Sequence, residues 1–166
     1  MSKAKNKLQW CLNQAKKQLA EGKKHRGLVM VKHDEALARQ YIRKADHNLE
    51  FFLLSKEHGF YDWTISIGFY VMYHCCLAII AKFGYESRNQ ECTLAAVESL
   101  IEEGKIENDF KRYVDAISPD LGEERVIPMR EKYQYTPIIA IDEQKVEELL
   151  GLCQDMIKDT KGIVQG

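Results

Sequence analysis

The chain has 166 residues, of which 45% are hydrophobic and 30% charged, and its formal net charge is −1. This length fits one domain that can bury about two-thirds of the surface of its unfolded chain. The composition excludes a disordered protein, and ten glycines with three prolines leave few helix breakers, so long helices are expected.

The first predicted helix covers residues 3–20 and is followed by a basic connection. Residues 1–32 carry nine Lys or Arg and one acid, Glu21. Such a segment can attract phosphate, RNA or an acidic partner. The alternative is that these charges only form a solvated helix face and balance the excess of acids in the rest of the chain. We expect residues 1–33 to be a peripheral helix and loop, attached to a helical domain of residues 34–163.

Apolar residues at helical spacing predict five further helices. The second runs from Asp34 to about Gly59, the third from Asp62 to about Phe83, the fourth from Thr93 to Ile101, the fifth from Ile106 to Ile117, and the last begins at Asp142. Asp34, Asp62 and Asp142 are expected to cap their helices. Segment 120–141 is the least regular, and no segment is a convincing strand, so the predicted fold class is all-α.

The third helix is long and apolar enough for a membrane span, because residues 63–81 carry no charge. Polar side chains interrupt the segment, and Asp62 and Lys82 bound it closely. We therefore expect a helix buried at the centre of a bundle and no membrane insertion.

Two faces of this helix are candidates for a homodimer contact, because together they carry more apolar surface than one bundle would cover. The first is a seam of mostly small residues: Thr64, Gly68, Val71, Cys75 and Ala78. The second carries larger side chains: Trp63, Tyr70, His74 and Leu77.

The five cysteines form no CxxC pair, and their number is odd. No secretory signal pattern precedes them. This pattern argues against disulfides and against a zinc site, and it predicts a cytoplasmic, reducing environment. Cys75, Cys76 and Cys153 are expected to be small apolar core residues.

A group of motifs in residues 36–101 resembles the HEPN family (higher eukaryotes and prokaryotes nucleotide-binding domain). The second helix carries Ala38, Tyr41, Ile42, Ala45 and Leu49 and ends at HGFYDW; GFYVMYHCCLA, KFGYES and an amphipathic helix follow. The chain is most similar to small stand-alone members that act as partners of minimal nucleotidyltransferases. The resemblance implies an up-and-down bundle of about five to six helices and frequent dimerisation.

The resemblance implies two kinds of activity. Some members are metal-independent ribonucleases with an R-x4–6-H motif on a late helix, where the Arg stabilises phosphate charge and the His handles a proton. Others are partners of a nucleotidyltransferase or bind nucleotides. Here no histidine follows His74, so Arg125 and Arg130 lack a downstream partner. The one formal match, Arg26 with His33, lies in the basic loop, and coincidence is the interpretation we favour.

Binding residues are therefore sought around Arg130, with Arg125 nearby. If residues 129–135 are helical, Arg130 and Tyr133 share one side and Tyr135 is turned away. Arg can take a phosphate in a bidentate fork, and a tyrosine can stack on a base. The alternative is that Arg130 pairs with Glu131, or with residue 123 or 124, while the tyrosines cover the end of the bundle.

His74 is a further candidate for ligand binding, although a buried, hydrogen-bonded core histidine is the interpretation we favour. No metal motif, cofactor fingerprint or catalytic residue is identified. The sequence predicts a non-catalytic, dimeric HEPN protein that binds a nucleotidyltransferase, a nucleotide or RNA. The alternative is a divergent ribonuclease that uses Arg130 with His74, or the Arg26–His33 pair.

Overall fold

A computed structural model describes residues 1–118 and 126–166, and within these ranges almost all regular structure is helical. The helices are α1 (Lys3–Ala20), α2 (Glu35–Glu57), α3 (Tyr61–Lys82), α4 (Gln90–Glu102), α5 (Lys111–Ala116), α6 (Val126–Tyr135) and α7 (Glu143–Gln165). A single 3-10 turn, Asn108–Phe110, leads into α5. The predicted all-α class is confirmed.

Two of the three predicted helix caps are present. The amide of Leu37 donates to Asp34 Oδ1 at 2.8 Å, and the side chain of Asp142 caps α7 in the same way. The third cap is wrong, because α3 already begins at Tyr61. Asp62 instead lies in the first turn, where its negative charge is favourable at the positive end of the helix dipole.

The fourth helix begins earlier than its apolar spacing predicted. The side chain of Asn89 accepts a hydrogen bond from the amide of Cys92 at 3.0 Å, so α4 starts at Gln90 rather than Thr93. A cap of this kind satisfies an amide that has no partner inside the helix. The polar cap, rather than the first apolar residue, therefore sets the boundary.

Part of the segment predicted to be irregular is helical. Helix α6 covers Val126–Tyr135, with Pro128 within its first turn. A proline is tolerated there because the missing N–H would have no partner in the helix.

Helix α3 is the central helix of the bundle and packs against α2, α4, α6 and α7. It is long and apolar enough to cross a membrane, but 78% of its most apolar window is buried inside the protein. The expected core helix is thus confirmed.

The small-residue seam of α3 is used within the chain. A Cβ atom at Gly68 would lie 2.7 Å from Leu149 Cδ2 and 3.2 Å from Phe52 Cε2, so α7 and α2 cover the seam closely. The expectation that this seam makes a dimer contact is therefore wrong. The face of α3 with Trp63 and Tyr70, which are 53% and 43% exposed, is accessible.

Two three-residue strands were missed by the helical reading. Strand β1 (Leu28–Met30) pairs antiparallel with β2 (Tyr85–Ser87), with Leu28 opposite Ser87. Both strands are too short to show an alternating pattern in sequence. The turn before β2 requires Gly84, whose φ is +84° and whose absent Cβ would lie 2.8 Å from a backbone oxygen.

The prediction that the chain forms no disulfide is wrong. Cys11 of α1 is bonded to Cys92 of α4, across a sequence separation of 81 residues. Each cysteine is solitary in sequence, and only the packing of α1 on α4 brings the two together. The inference to a reducing compartment no longer follows from the cysteines. Cys75, Cys76 and Cys153 are buried and free, as predicted.

The basic N-terminal segment is packed on the bundle. Cys11 and Leu28 have no exposed surface and belong to the main hydrophobic core. Helix α1 lies against α4 and β1. The boundary between residues 33 and 34 stays a prediction.

Candidate functional site

A row of aromatic rings runs along the side of α3 that faces α6. Phe69 is buried and Tyr70 is partly exposed, and their ring centroids are 5.3 Å apart in an edge-to-face arrangement. One turn later, Tyr73 stacks on Phe69 at 5.8 Å with an angle of 8° between the rings. Residues three and four apart on a helix are neighbours, so α3 alone positions these rings. We call Phe69, Tyr70 and Tyr73 the aromatic wall.

Arg130 reaches this wall from α6. Its guanidinium carbon lies 4.4 Å from the ring centroid of Phe69 and 5.9 Å from that of Tyr70. Both distances are within the range in which a cation is attracted to an aromatic face. Its Nε atom is buried and has no hydrogen-bond partner. An unpartnered buried donor is costly. Arg130 as a whole is only partly buried, so the exposed part of its guanidinium can take an anion from solvent.

His74 lies one turn beyond Tyr70 on α3 and faces α2. Its ring centroid lies 6.5 Å from that of Tyr70 and 6.2 Å from that of Tyr41 on α2. Its Nδ1 atom lies 2.6 Å from the backbone oxygen of Tyr70 and 3.3 Å from the side-chain amide of Asn48. A carbonyl oxygen can only accept, so Nδ1 carries the proton and donates it to Tyr70, the longer contact with the Asn48 Nδ2 donor is not a hydrogen bond, and Nε2 carries a lone pair.

Burial lowers the pKa of His74, and the charge of Lys44 lowers it further, against the opposing effect of the Tyr70 carbonyl. The imidazole is therefore neutral at neutral pH. It is half-buried and hydrogen-bonded, which agrees with the core-type environment that the sequence favoured. Its role in ligand binding stays a prediction.

Tyr73 anchors the other end of the aromatic wall. Its hydroxyl group lies 3.2 Å from Thr93 Oγ1 on α4. Burial raises the pKa of Tyr73 above its usual value, so the phenol stays protonated. Sequence reasoning did not select Phe69 or Tyr73 as site residues, although their spacing of four residues on a helix was a signal that they would stack.

The tyrosines of α6 are arranged as the helical geometry predicted. Tyr133 is partly buried against the core, and Lys132 Nζ lies 5.6 Å from its ring centroid. Tyr135 is 76% exposed and points away. Neither tyrosine is in ring contact with Phe69 or Tyr70. Arg130 therefore contacts the rings of α3 and not Tyr133 or Tyr135 of its own helix. Arg125 lies outside the described residues.

The ion pair between Arg130 and Glu131 is absent from the described parts of the chain. Residues 123 and 124, the other acids considered, lie outside them. The guanidinium of Arg130 thus lies on aromatic rings and does not form the surface ion pair with Glu131 that was the alternative.

The formal Arg26–His33 match is not brought together as a pair. The two residues flank opposite ends of β1, and no hydrogen bond joins them. Arg26 uses its backbone amide to donate to Gln18 Oε1 at 2.7 Å. His33 lies beside Gly84.

The other candidate chemical groups are metal-ligating side chains and the buried thiols. Within residues 1–118 and 126–166, no three His, Cys, Asp or Glu side chains are grouped so that they could hold a metal ion. Burial raises the pKa of the Cys75 thiol to about 12, so it stays protonated and unreactive. The arrangement around Arg130 is suited to binding an anion beside a ring.

Comparison with known proteins gives one family. No curated protein matches this chain. The family model described as HEPN domain matches residues 38–163, which is most of the chain and includes the aromatic wall, Arg130 and His74. The protein therefore belongs to the HEPN domain family.

Proposed function

We propose that this protein binds a nucleotide or a segment of RNA at the surface formed by Arg130, Tyr70 and His74. The observation that carries the proposal is the guanidinium of Arg130, which lies 4.4 Å over Phe69 with a buried, unpartnered Nε. The aromatic ring holds the cation in place, so little side-chain freedom is lost when a phosphate binds.

Two neighbours give this surface its preference for a nucleotide over a simple phosphate. Tyr70 is partly exposed next to the guanidinium, and a partly exposed ring can stack on a base. His74 presents a lone pair on Nε2, which makes no hydrogen bond with a described residue and can accept one from a sugar hydroxyl or a base amino group. The cation can bind the phosphate of a nucleotide, the ring can stack on its base, and the acceptor can bind its sugar hydroxyl or base amino group.

A second candidate function, a divergent ribonuclease, is favoured by one observation. Neutral His74 can accept a proton at Nε2, and the centroid of the Tyr70 ring lies 6.5 Å from that of His74 and 5.9 Å from the guanidinium carbon of Arg130. An Arg that stabilises phosphate charge and a neutral His are the groups that metal-independent RNA cleavage uses. No contact joins Arg130 to His74 among the described residues, so binding without cleavage is the function we put first.

A protein partner and a homodimer belong to the same proposal. The accessible aromatic face of α3 carries Trp63, which is 53% exposed. An exposed tryptophan next to a ligand surface supports a contact with a nucleotidyltransferase or a second copy of the chain.

The test uses a fluorescently labelled nucleoside triphosphate, the full chain and two matched variants. Arg130→Ala removes the proposed phosphate-binding group. Arg112→Ala removes another arginine that lies over a ring, that of Tyr113 at 4.6 Å, but whose charge is already paired with Asp159. A charge-assisted hydrogen bond contributes roughly 1.5–3 kcal/mol, so Arg130→Ala should weaken binding about 10- to 150-fold.

Arg112→Ala should bind as the wild type does. Equal affinity in all three proteins, or an equal loss in both variants, would refute the proposed site. Incubation with total RNA decides between the two candidate functions, because cleavage that is lost in both Arg130→Ala and His74→Ala would favour the ribonuclease.

A further inference from the structure

A second charged surface lies away from Arg130, on the basic N-terminal segment. The last two turns of α1 and the loop that follows enclose an open groove of about 550 Å³. Its walls carry four bases and two amides: Lys17, Lys23, Lys24, Arg26, Gln14 and Gln18. The groove is thus lined mainly by hydrogen-bond donors with positive charge.

Most of this charge is uncompensated. Glu21, the one acid of the groove, pairs with Lys23 at 2.9 Å. Lys17, Lys24 and Arg26 are exposed and form no ion pair with any residue in the described ranges. Three free cations around one groove produce a positive potential that attracts phosphate groups.

The groove is held in shape by the fold. The loop is fastened to α1 where the amide of Arg26 donates to Gln18 Oε1 at 2.7 Å. Helix α1 is in turn bonded to α4 through Cys11 and Cys92. The backbone positions of the cations are therefore fixed, and only their exposed side chains lose rotamer freedom when a ligand binds.

An exposed indole extends the groove along the helix. Trp10 is 51% exposed, and Gln14 and Lys17 follow it at four and seven residues, which places all three on one face of α1. At 1.5 Å per residue, Trp10 lies roughly 10 Å along the helix axis from Lys17. Lys7 Nζ lies 4.5 Å from the indole centroid, but its charge is paired with Glu91 at 2.7 Å, so the free cations of the site are those of the groove.

We propose that this groove and Trp10 bind single-stranded nucleic acid, with the phosphates on Lys17, Lys24 and Arg26 and a base stacked on the indole. A cationic track beside an exposed ring is the combination that sequence-tolerant single-strand binding uses. An acidic peptide would satisfy the cations but offers no planar base to the indole. The site is separate from the one at Arg130 and does not depend on it.

The experiment measures fluorescence anisotropy of a labelled 12-nucleotide oligouridylate, with oligothymidylate as a second probe. It uses the full chain in an Arg130→Ala background, so that the other site does not contribute. Lys17→Glu with Lys24→Glu should weaken binding at least tenfold. Loss of two phosphate contacts should also reduce the slope of log K against log salt by about 1.4.

Trp10→Ala should weaken binding roughly 5- to 150-fold, as expected for the loss of one stacked base, and leave the salt slope unchanged. The control carries two reversals on exposed lysines elsewhere, Lys105→Glu and Lys158→Glu, with the same change in net charge. The control should bind as the Arg130→Ala parent does. Thermal melting checks that each variant is folded.

Three results would overturn the proposal. The control pair could weaken binding as much as the groove pair, which would mean that net charge alone is responsible. Trp10→Ala could leave the affinity unchanged, which would remove the stacked base. Polyglutamate could displace the oligonucleotide from the groove at lower concentration than unlabelled oligouridylate does, which would make an acidic protein the better partner.

Discussion

The guanidinium carbon of Arg130 lies 4.4 Å from the ring centroid of Phe69, so a charged residue of α6 rests on a buried ring of the central helix. This contact joins a side chain that sequence reasoning selected for its charge to a ring that it did not select as a site residue. It explains why Arg130 is kept at the surface of α3 without an acidic partner among the described residues.

The first prediction concerns the close approach of α3 to α7. Gly68→Ala places a Cβ atom 2.7 Å from Leu149 Cδ2, so the side chains must shift, and we expect a loss of roughly 1–3 kcal/mol of unfolding free energy. Urea denaturation measures it. Gly151→Ala is the matched control in α7, because nothing lies within 4 Å of its Cβ position, and it should be neutral or stabilising. Equal stability of both variants would show that the helices do not pack this closely.

The second prediction concerns the disulfide. Cys11→Ala with Cys92→Ala opens a loop of 81 residues, and the chain-entropy relation gives a destabilisation of about 4.5 kcal/mol. Urea denaturation with and without a reducing agent measures it. Reduction should lower the stability of the wild type and leave the double variant unchanged. A wild type that is insensitive to reductant would contradict the bond between α1 and α4.

The third prediction concerns pH. The folded-state pKa of His74 lies below its value in the unfolded chain. Between these two pKa values the unfolded state binds more protons than the folded state, so stability falls as the pH falls. The contribution of neutral His74 to stability is therefore present above the unfolded pKa, near 6.5, and is lost as the pH falls through the lower folded pKa. Unfolding free energies at pH 7.5 and 5.5 should differ less in His74→Gln than in the wild type. An identical pH dependence in both proteins would show that His74 is not half-buried in its neutral form.

The fourth prediction concerns the oligomeric state. We expect a dimer in solution that uses the accessible face of α3, so Trp63→Glu should shift the protein towards a monomer without lowering its melting temperature. Light scattering at micromolar concentration measures the mass. Gly68 is unsuitable for this test because it is buried inside the chain. A wild-type monomer under these conditions would contradict the expectation.

Sequence reasoning succeeded where one chain segment determines the outcome. Helices α1, α2 and α7 have strong apolar spacing, α3 is an uninterrupted apolar run, and the caps at Asp34 and Asp142 are local, so their positions followed from the residues themselves. The family was also recognisable, since its motifs lie within the matched residues 38–163.

It failed where distant segments meet. The Cys11–Cys92 bond and the β1–β2 pair each join residues from separate parts of the chain, and neither leaves a local signal. The stacking of Arg130 on Phe69 is of the same kind, because it depends on how α6 lies against α3. Helical spacing could predict that Arg130 and Tyr133 share a side, but it could not identify which helix that side would meet.

The central claim is that Arg130 is the phosphate-binding group of this HEPN domain. The most direct measurement is the affinity of a labelled nucleoside triphosphate for the wild type, Arg130→Lys and Arg130→Ala, with melting temperatures recorded in parallel. We predict that Arg130→Ala weakens binding about 10- to 150-fold and that Arg130→Lys, which keeps the charge but loses the planar fork, gives an intermediate loss. Unchanged affinity in Arg130→Ala, with the protein folded, would contradict the claim.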